Sequence, residues 1–298
     1  MKSKTVSLVL GSGGARGLVH IGVIDWLVEH DYKIESVAGA SMGALVGGIY
    51  AAGKLDAYKK WVLTLNKSDV IKMLDLSFSL GGLFKGERII NKLLDLVGKQ
   101  KIEQLPIKFT AVATNIESGR EVWFSEGSLF DAIRASIAVP LVFTPVTNGK
   151  RILVDGGLLN PVPIAPTMTD NTDITIAVNV DAEPRNDHVI EKYSATMEDE
   201  SPDEPNWFTK IVQDLQQRLN LDMSVQSDQW GFYEITSRSI EIMQNSIAKM
   251  KIAAYTPDIL IEFPSDLAKA YEFYRAKELI QMGYDRAEMI LAKHHHLQ

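Results

Sequence analysis

The sequence predicts an α/β protein built as a three-layer sandwich, with a mostly parallel central sheet between helices. Three observations carry that expectation. Short runs rich in Val, Ile or Thr alternate with apolar helical segments, the pattern of strand–helix–strand units. With 46% of its 298 residues apolar, the chain can bury a large core. Its glycine clusters fall where a predicted strand meets a predicted helix, the place where open α/β sheets gather their sites.

In order, residues 5–10 read as the first strand, followed by a glycine loop and an apolar helix over about 18–30. Residues 34–40 form a second strand, followed at once by a helix over about 42–52. Buried strands are expected at 109–114, 152–154, 174–180 and 259–263, each short and β-branched. Residues 266–293 carry helical periodicity, with a break expected near Gly283. The whole chain, 1–298, is read as one domain. Its motifs fall within 6–166, an acidic insertion or linker covers about 181–226, and a strand and helices make up 227–298.

The formal net charge is −7, from 31 basic and 38 acidic side chains. All of it resides in 181–205, which holds nine acidic residues, from Asp181 to Glu204, against Arg185 and Lys192. A neutral body with one acidic segment lacks the basic face of a nucleic-acid binder, so none is expected as a partner. The absence of cysteine removes disulfides, thiolate nucleophiles and Cys-ligated metals, and fits a reducing cytoplasm. The apolar stretch 6–10 is too short for a signal peptide. The uncharged stretch 36–53 is at the lower limit of a membrane span, but its five glycines favour a buried strand–turn–helix.

Gly11-Ser12-Gly13-Gly14-Ala15-Arg16-Gly17 joins the first strand to its helix. A phosphate-binding loop of the Walker type would need Lys followed by Ser or Thr where Arg16-Gly17 stands. A dinucleotide fingerprint counted from Gly11 would need glycine at Arg16, and Asp31 precedes the second strand instead of ending it. An oxyanion hole built from backbone N–H groups and a simple tight turn both fit. Gly39-Ala40-Ser41-Met42-Gly43 fits G-x-S-x-G between strand and helix. There the serine occupies a strained reversal and small residues two before and two after avoid collisions.

No histidine is well placed to activate Ser41. His20 and His30 lie on the first helix, His188 in the acidic insertion and His294–His296 in the tail. Asp155, in Val154-Asp155-Gly156-Gly157 at the end of a buried strand, is the better candidate base, although Asp-Gly-Gly alone also reads as a turn.

Four blocks in this order resemble the bacterial patatin-like phospholipases, the acyl-hydrolase family that includes plant patatin and the catalytic domain of neuropathy target esterase. They are Gly13-Gly14-Ala15-Arg16-Gly17, the run from Gly39 to Gly43, Ala135-Ser136-Ile137-Ala138-Val139-Pro140 with Phe143, and Asp155-Gly156-Gly157. The C-terminal pattern from Pro257-Asp258-Ile259 through Arg275 and Gly283-Tyr284 is also similar. Ser12 departs from the further glycine found in many members. The resemblance implies a patatin-like fold and a Ser41–Asp155 dyad without histidine. Gly13, Gly14 and Met42 would supply the oxyanion N–H groups, Gly11, Arg16, Gly17, Gly39, Gly43, Gly156 and Gly157 would shape the motifs, and neither cofactor nor metal would be needed. Arg16 would anchor the glycine loop.

The expected substrate is a fatty-acyl ester of a phospholipid or lysophospholipid, met by a cytoplasmic protein in transient, peripheral contact with a membrane surface. A carboxylesterase for soluble short esters and a non-catalytic regulatory member of the fold are the alternatives. Two apolar regions could form a lid or pack on the body: 61–84, and the segment containing Trp207, Phe208, Ile211, Val212, Leu215 and Leu219. The oligomeric state is left open.

Overall fold

The computed structural model of the chain describes residues 3–75, 84–184, 189 and 232–295. The strands are β1 (Thr5–Leu10), β2 (Lys33–Ala40), β3 (Lys108–Asn115), β4 (Arg120–Phe124), β5 (Val146–Asn148), β6 (Arg151–Asp155), β7 (Ile174–Ala182) and β8 (Ile259–Pro264). The helices are α1 (Val19–Glu29), α2 (Met42–Ala51), α3 (Leu55–Val62), α4 (Lys67–Met73), α5 (Glu87–Val97), α6 (Leu129–Ser136), α7 (Phe232–Tyr255) and α8 (Ala276–His295). One sheet runs in the order β5-β6-β3-β2-β1-β7-β8, with β4 also on β3. The neighbours from β3 through β8 are parallel, whereas β4, β5 and β6 pair antiparallel.

Alternation along the strands explains the layers. On β1, Val6, Leu8 and Leu10 enter the main core with residues of α1, α2, α5, α6 and α8. Val9 points the other way, into a second core formed with Val162, Ile164, Ala177 and Ala248 of α7. On β7, Ile176, Val178 and Val180 face the first core and Ala177 the second. A mostly parallel sheet covered on both faces is the predicted α/β sandwich.

Four details differ from the sequence reading. The short strands β4 and β5 were not expected; the two-residue turn Gly149-Lys150, with Gly149 at φ 61°, folds β5 onto β6 as a hairpin. That hairpin makes β6 antiparallel to β3, where the alternation implied parallel pairing. Residues 266–272 are not helical, and α8 passes Gly283 unbroken. A Cβ at Gly283 would lie 2.1 Å from the Val19 carbonyl oxygen, and one at Gly22 would lie 1.9 Å from that of Ile280. These two glycines let α1 and α8 cross backbone to backbone, so Gly283 marks a contact and not a break. Finally, Asp181 does not open a solvated acidic insertion: it is the penultimate residue of β7 and is 6% exposed. The remainder of the acidic run from residue 190 onward, together with the apolar segment 207–219 and His188, lies outside the described residues.

The uncharged stretch 36–53 is the end of β2 followed by α2, largely buried in the main core. Among the described residues, no helix is long and apolar enough to cross a membrane.

Candidate active site

Strand register on β3 brings the two ends of the site together. β2 pairs with β3 as far as Ala40 opposite Val112. One residue further along, Ala113 pairs with Asp155 of β6. Because β6 runs antiparallel, the carboxyl ends of β2 and β6 meet head-on, and Ser41, just beyond Ala40, faces Asp155. Ser41 itself has φ 52° and ψ −122°, an unfavourable backbone for a non-glycine residue that costs roughly 1–3 kcal/mol. It presents the hydroxyl at the start of α2, on the positive end of the helix.

The block from Ala135 to Pro140 braces both sides. The Ser136 hydroxyl accepts from the Ser41 N–H at 2.9 Å and donates to the Val112 carbonyl at 2.6 Å. The Asp155 N–H donates to the Ala138 carbonyl at 2.9 Å. Sequence reasoning quoted these residues without giving them a task; the signal was a serine directly preceded by alanine at a helix end, too common to single out.

Asp155 is 2% exposed, and its Oδ1 accepts from the Gly157 N–H at 2.7 Å. Oδ2 is buried with no hydrogen bond of regular geometry among the described residues. Burial pushes its pKa up to about 7; the nearby Ser41 hydroxyl and the Gly157 N–H oppose the rise, and the charge of Asp181 adds to it. A carboxylate at that value is a far better base near neutral pH than a free aspartate.

In the glycine loop, the N–H groups of Gly11, Ser12 and Ala15 donate to the carbonyls of Val178, Pro161 and Ala270, at 2.8–2.9 Å. Between these anchors, Gly13 and Gly14 take φ values of 152° and 56°. Among the described residues their N–H groups have no acceptor, and both glycines border the same cavity as Ser41 and Met42. Two unengaged N–H groups held by pinned neighbours form a site that suits an anion.

Arg16 anchors this loop from behind. It is 8% exposed, with Nη2 2.5 Å from Asp181 and Nη1 donating to the Ser265 carbonyl at 2.7 Å; Glu241 of α7 lies 3.5 Å away. Burial raises the Asp181 pKa and the Arg16 charge opposes that rise. Asp181 is the site residue that the charge count assigned to the wrong place, because net charge carries no information on burial.

His20 is fully buried, its Nε2 2.9 Å from the Gly11 carbonyl oxygen, and burial lowers its pKa to about 4. The ring is therefore neutral and supports the loop outside the cavity wall. His20→Ala is expected to leave kcat/KM within a few-fold of wild type while lowering stability by about 2 kcal/mol, read from paired denaturation and ester-hydrolysis curves. A dead variant that folds normally would make this histidine part of the chemistry.

Ser41 and Asp155 border a cavity of about 810 Å³, within the usual range for ligand pockets. One wall is apolar, with Leu45, Tyr58, Trp61, Leu65, Leu93 and Phe143. Of the region 61–84, Trp61, Val62, Leu65, Val70, Met73 and Leu74 line this cavity, and Phe84 is buried. Val62 belongs to the main core, Trp61 and Leu65 pack against it, and Ile71 is exposed; Phe78, Leu80 and Leu83 lie outside the described residues.

The family model for patatin-like phospholipases matches residues 8–168, more than half of the chain. The chain belongs to the patatin-like phospholipase family. An uncharacterized NTE family protein of Mycobacterium tuberculosis H37Rv is 36% identical over 330 residues, spanning 94% of this chain and 89% of its own length. Lysophospholipase NTE1 of Pyricularia oryzae is 28% identical; the match covers 94% of this chain but 18% of that much longer protein. Among solved structures, VipD from Legionella pneumophila superposes with a TM-score of 0.50 over 99% of this chain and 67% of its own, at 16% identity, a likeness of fold. Membership in this family of lipid acyl hydrolases accounts for why the four blocks occur together: each shapes one side of the patatin-like cavity.

Proposed function

We propose that this protein is a serine acyl hydrolase that cleaves fatty-acyl esters of phospholipids or lysophospholipids through Ser41 and Asp155. The observation that carries the reading is the pairing itself. A strained serine sits against a buried carboxylate of raised pKa, at the wall of a cavity of about 810 Å³ lined largely by apolar side chains. Ser41 Oγ attacks the ester carbonyl as Asp155 takes its proton, and the N–H groups of Gly13, Gly14 and Met42 hold the oxyanion. Collapse of the tetrahedral intermediate returns that proton to the departing alcohol, a lysophospholipid or a glycerophosphodiester. Water then attacks the acyl-enzyme, gives a proton to Asp155 and releases the fatty acid. No histidine takes part in this scheme.

The apolar wall supports an acyl chain as the ligand, and the lysophospholipase named among the relatives supports the substrate class. Two measurements test this. A fluorophosphonate probe is expected to label the wild type and not Ser41→Ala; equal labelling of both would remove Ser41 from the scheme. In mixed micelles the wild type is expected to prefer phospholipid or lysophospholipid over short-chain p-nitrophenyl esters in kcat/KM. Loss of that preference would favour the carboxylesterase alternative.

A further inference from the structure

Ser12 is a buried polar group of the cavity wall that the steps above leave unused. Its side chain is 5% exposed and its N–H is spent on the Pro161 carbonyl, yet its Oγ has no hydrogen-bond partner among the described residues. Asp155 Oδ2 likewise lacks a hydrogen bond of regular geometry, with the Ser41 hydroxyl close to this carboxylate. Both residues line the same cavity as Ser41. A Cβ on Gly157 would fall 2.8 Å from Ser12 Oγ and 2.9 Å from Asp155 Oδ1, so the second glycine of Asp-Gly-Gly is what lets the loop and the aspartate turn approach. A buried hydroxyl left unpaired is costly, and one on a residue of the reaction-cavity wall suits a small, transient polar partner that enters as the site opens in the reaction.

The geometry points to Ser12 as the residue that positions the hydrolytic water, together with Asp155, for the second half of the reaction. This rests on the Ser41–Asp155 reading. Once Ser41 Oγ is bound in the ester it has no proton to offer, so Asp155 is available to another donor. Water gives one hydrogen to Asp155 and the other to Ser12 Oγ, which leaves a lone pair facing the acyl carbon. As the new C–O bond forms, Asp155 takes the first proton. Collapse breaks the bond to Ser41 Oγ, and Asp155 returns the proton to it, so a free carboxylic acid leaves and the enzyme is restored. The role is confined to deacylation, because no water is consumed when Ser41 is acylated.

The test uses Ser12→Ala and Ser12→Gly in the full chain with a p-nitrophenyl ester, following the nitrophenol burst and the intact protein mass. The expected result is a burst at the wild-type rate, steady turnover lowered by on the order of tenfold, and accumulation of the acyl adduct on the protein. Fluorophosphonate labelling of Ser41 at the wild-type rate shows that the site has kept its shape. Turnover equal to wild type overturns the inference, as does slow turnover without adduct, which would place Ser12 in acylation or in loop structure alone. Ser41→Ala separates this failure from that of the reading beneath it: an adduct or turnover in that variant counts against the dyad, whatever Ser12 does.

Discussion

Asp155→Asn is expected to lower kcat/KM by on the order of a thousandfold, with Ser41 still in place, because the amide accepts no proton from the serine. In the wild type, kcat/KM is expected to rise with pH and level off above about 7, the value to which burial brings Asp155. The sign follows from the base needing to be ionised: each unit below that value leaves about a tenfold smaller active fraction. The same shift makes a stability prediction of opposite character. A carboxyl raised from 3.8 to about 7 in the fold binds its proton more tightly folded than unfolded. Its contribution is fully present below the unfolded pKa and is lost as pH rises through the folded one. At about 1.4 kcal/mol per unit, ionising Asp155 costs the fold roughly 4 kcal/mol above pH 7. Asp155→Asn is therefore expected to be inactive but more stable than wild type at pH 8, with the difference vanishing below pH 4. Denaturant titrations at the two pH values check it. An active variant, or one less stable at pH 8, would mean that the carboxylate is not the buried base of raised pKa assigned to it.

Gly43→Ala is the second large effect, and it acts through the backbone. A Cβ there would lie 2.0 Å from the Leu10 carbonyl oxygen and 2.7 Å from that of Gly11. Both belong to the end of β1 and the start of the glycine loop, so no side chain can swing aside. The methyl group would separate the elbow from the loop, the two elements that bracket the cavity. The expected loss is about 3 kcal/mol or more of stability, with fluorophosphonate labelling of Ser41 falling at least in parallel. Thermal unfolding with and without the probe checks both. A variant that unfolds and labels like wild type would show that the contact can relax.

Much of this molecule is local, and the local part is legible. The G-x-S-x-G elbow lies within five residues because a strand-to-helix reversal imposes its own small residues. Gly39 and Gly43 meet each other there, a Cβ at Gly39 falling 2.4 Å from the Gly43 carbonyl carbon. The strand runs 34–40, 109–114 and 174–180 could be read from their apolar composition, since most of each is buried on both faces, and 259–263 from its alternation of buried and half-buried residues. Short β4 and β5 could not, because their side chains are half exposed and carry little pattern. Gly283 looked like a helix break because its purpose, contact with Val19, lies on a helix more than 250 residues away in sequence.

By itself the sequence determined the family, the sheet with its main helices, and which serine and which aspartate to compare, since each depends on neighbours a few positions apart. Only the tertiary structure decided that β6 turns back to set Asp155 one register step beyond Ala40. It alone showed Asp181 to be the buried partner of Arg16, and Ser12 and Ser136 to border or brace the site. The physical reason is that register, burial and electrostatic coupling are set by segments distant along the chain. A carboxylate's character as a base depends on how much water those segments exclude, which no local pattern records.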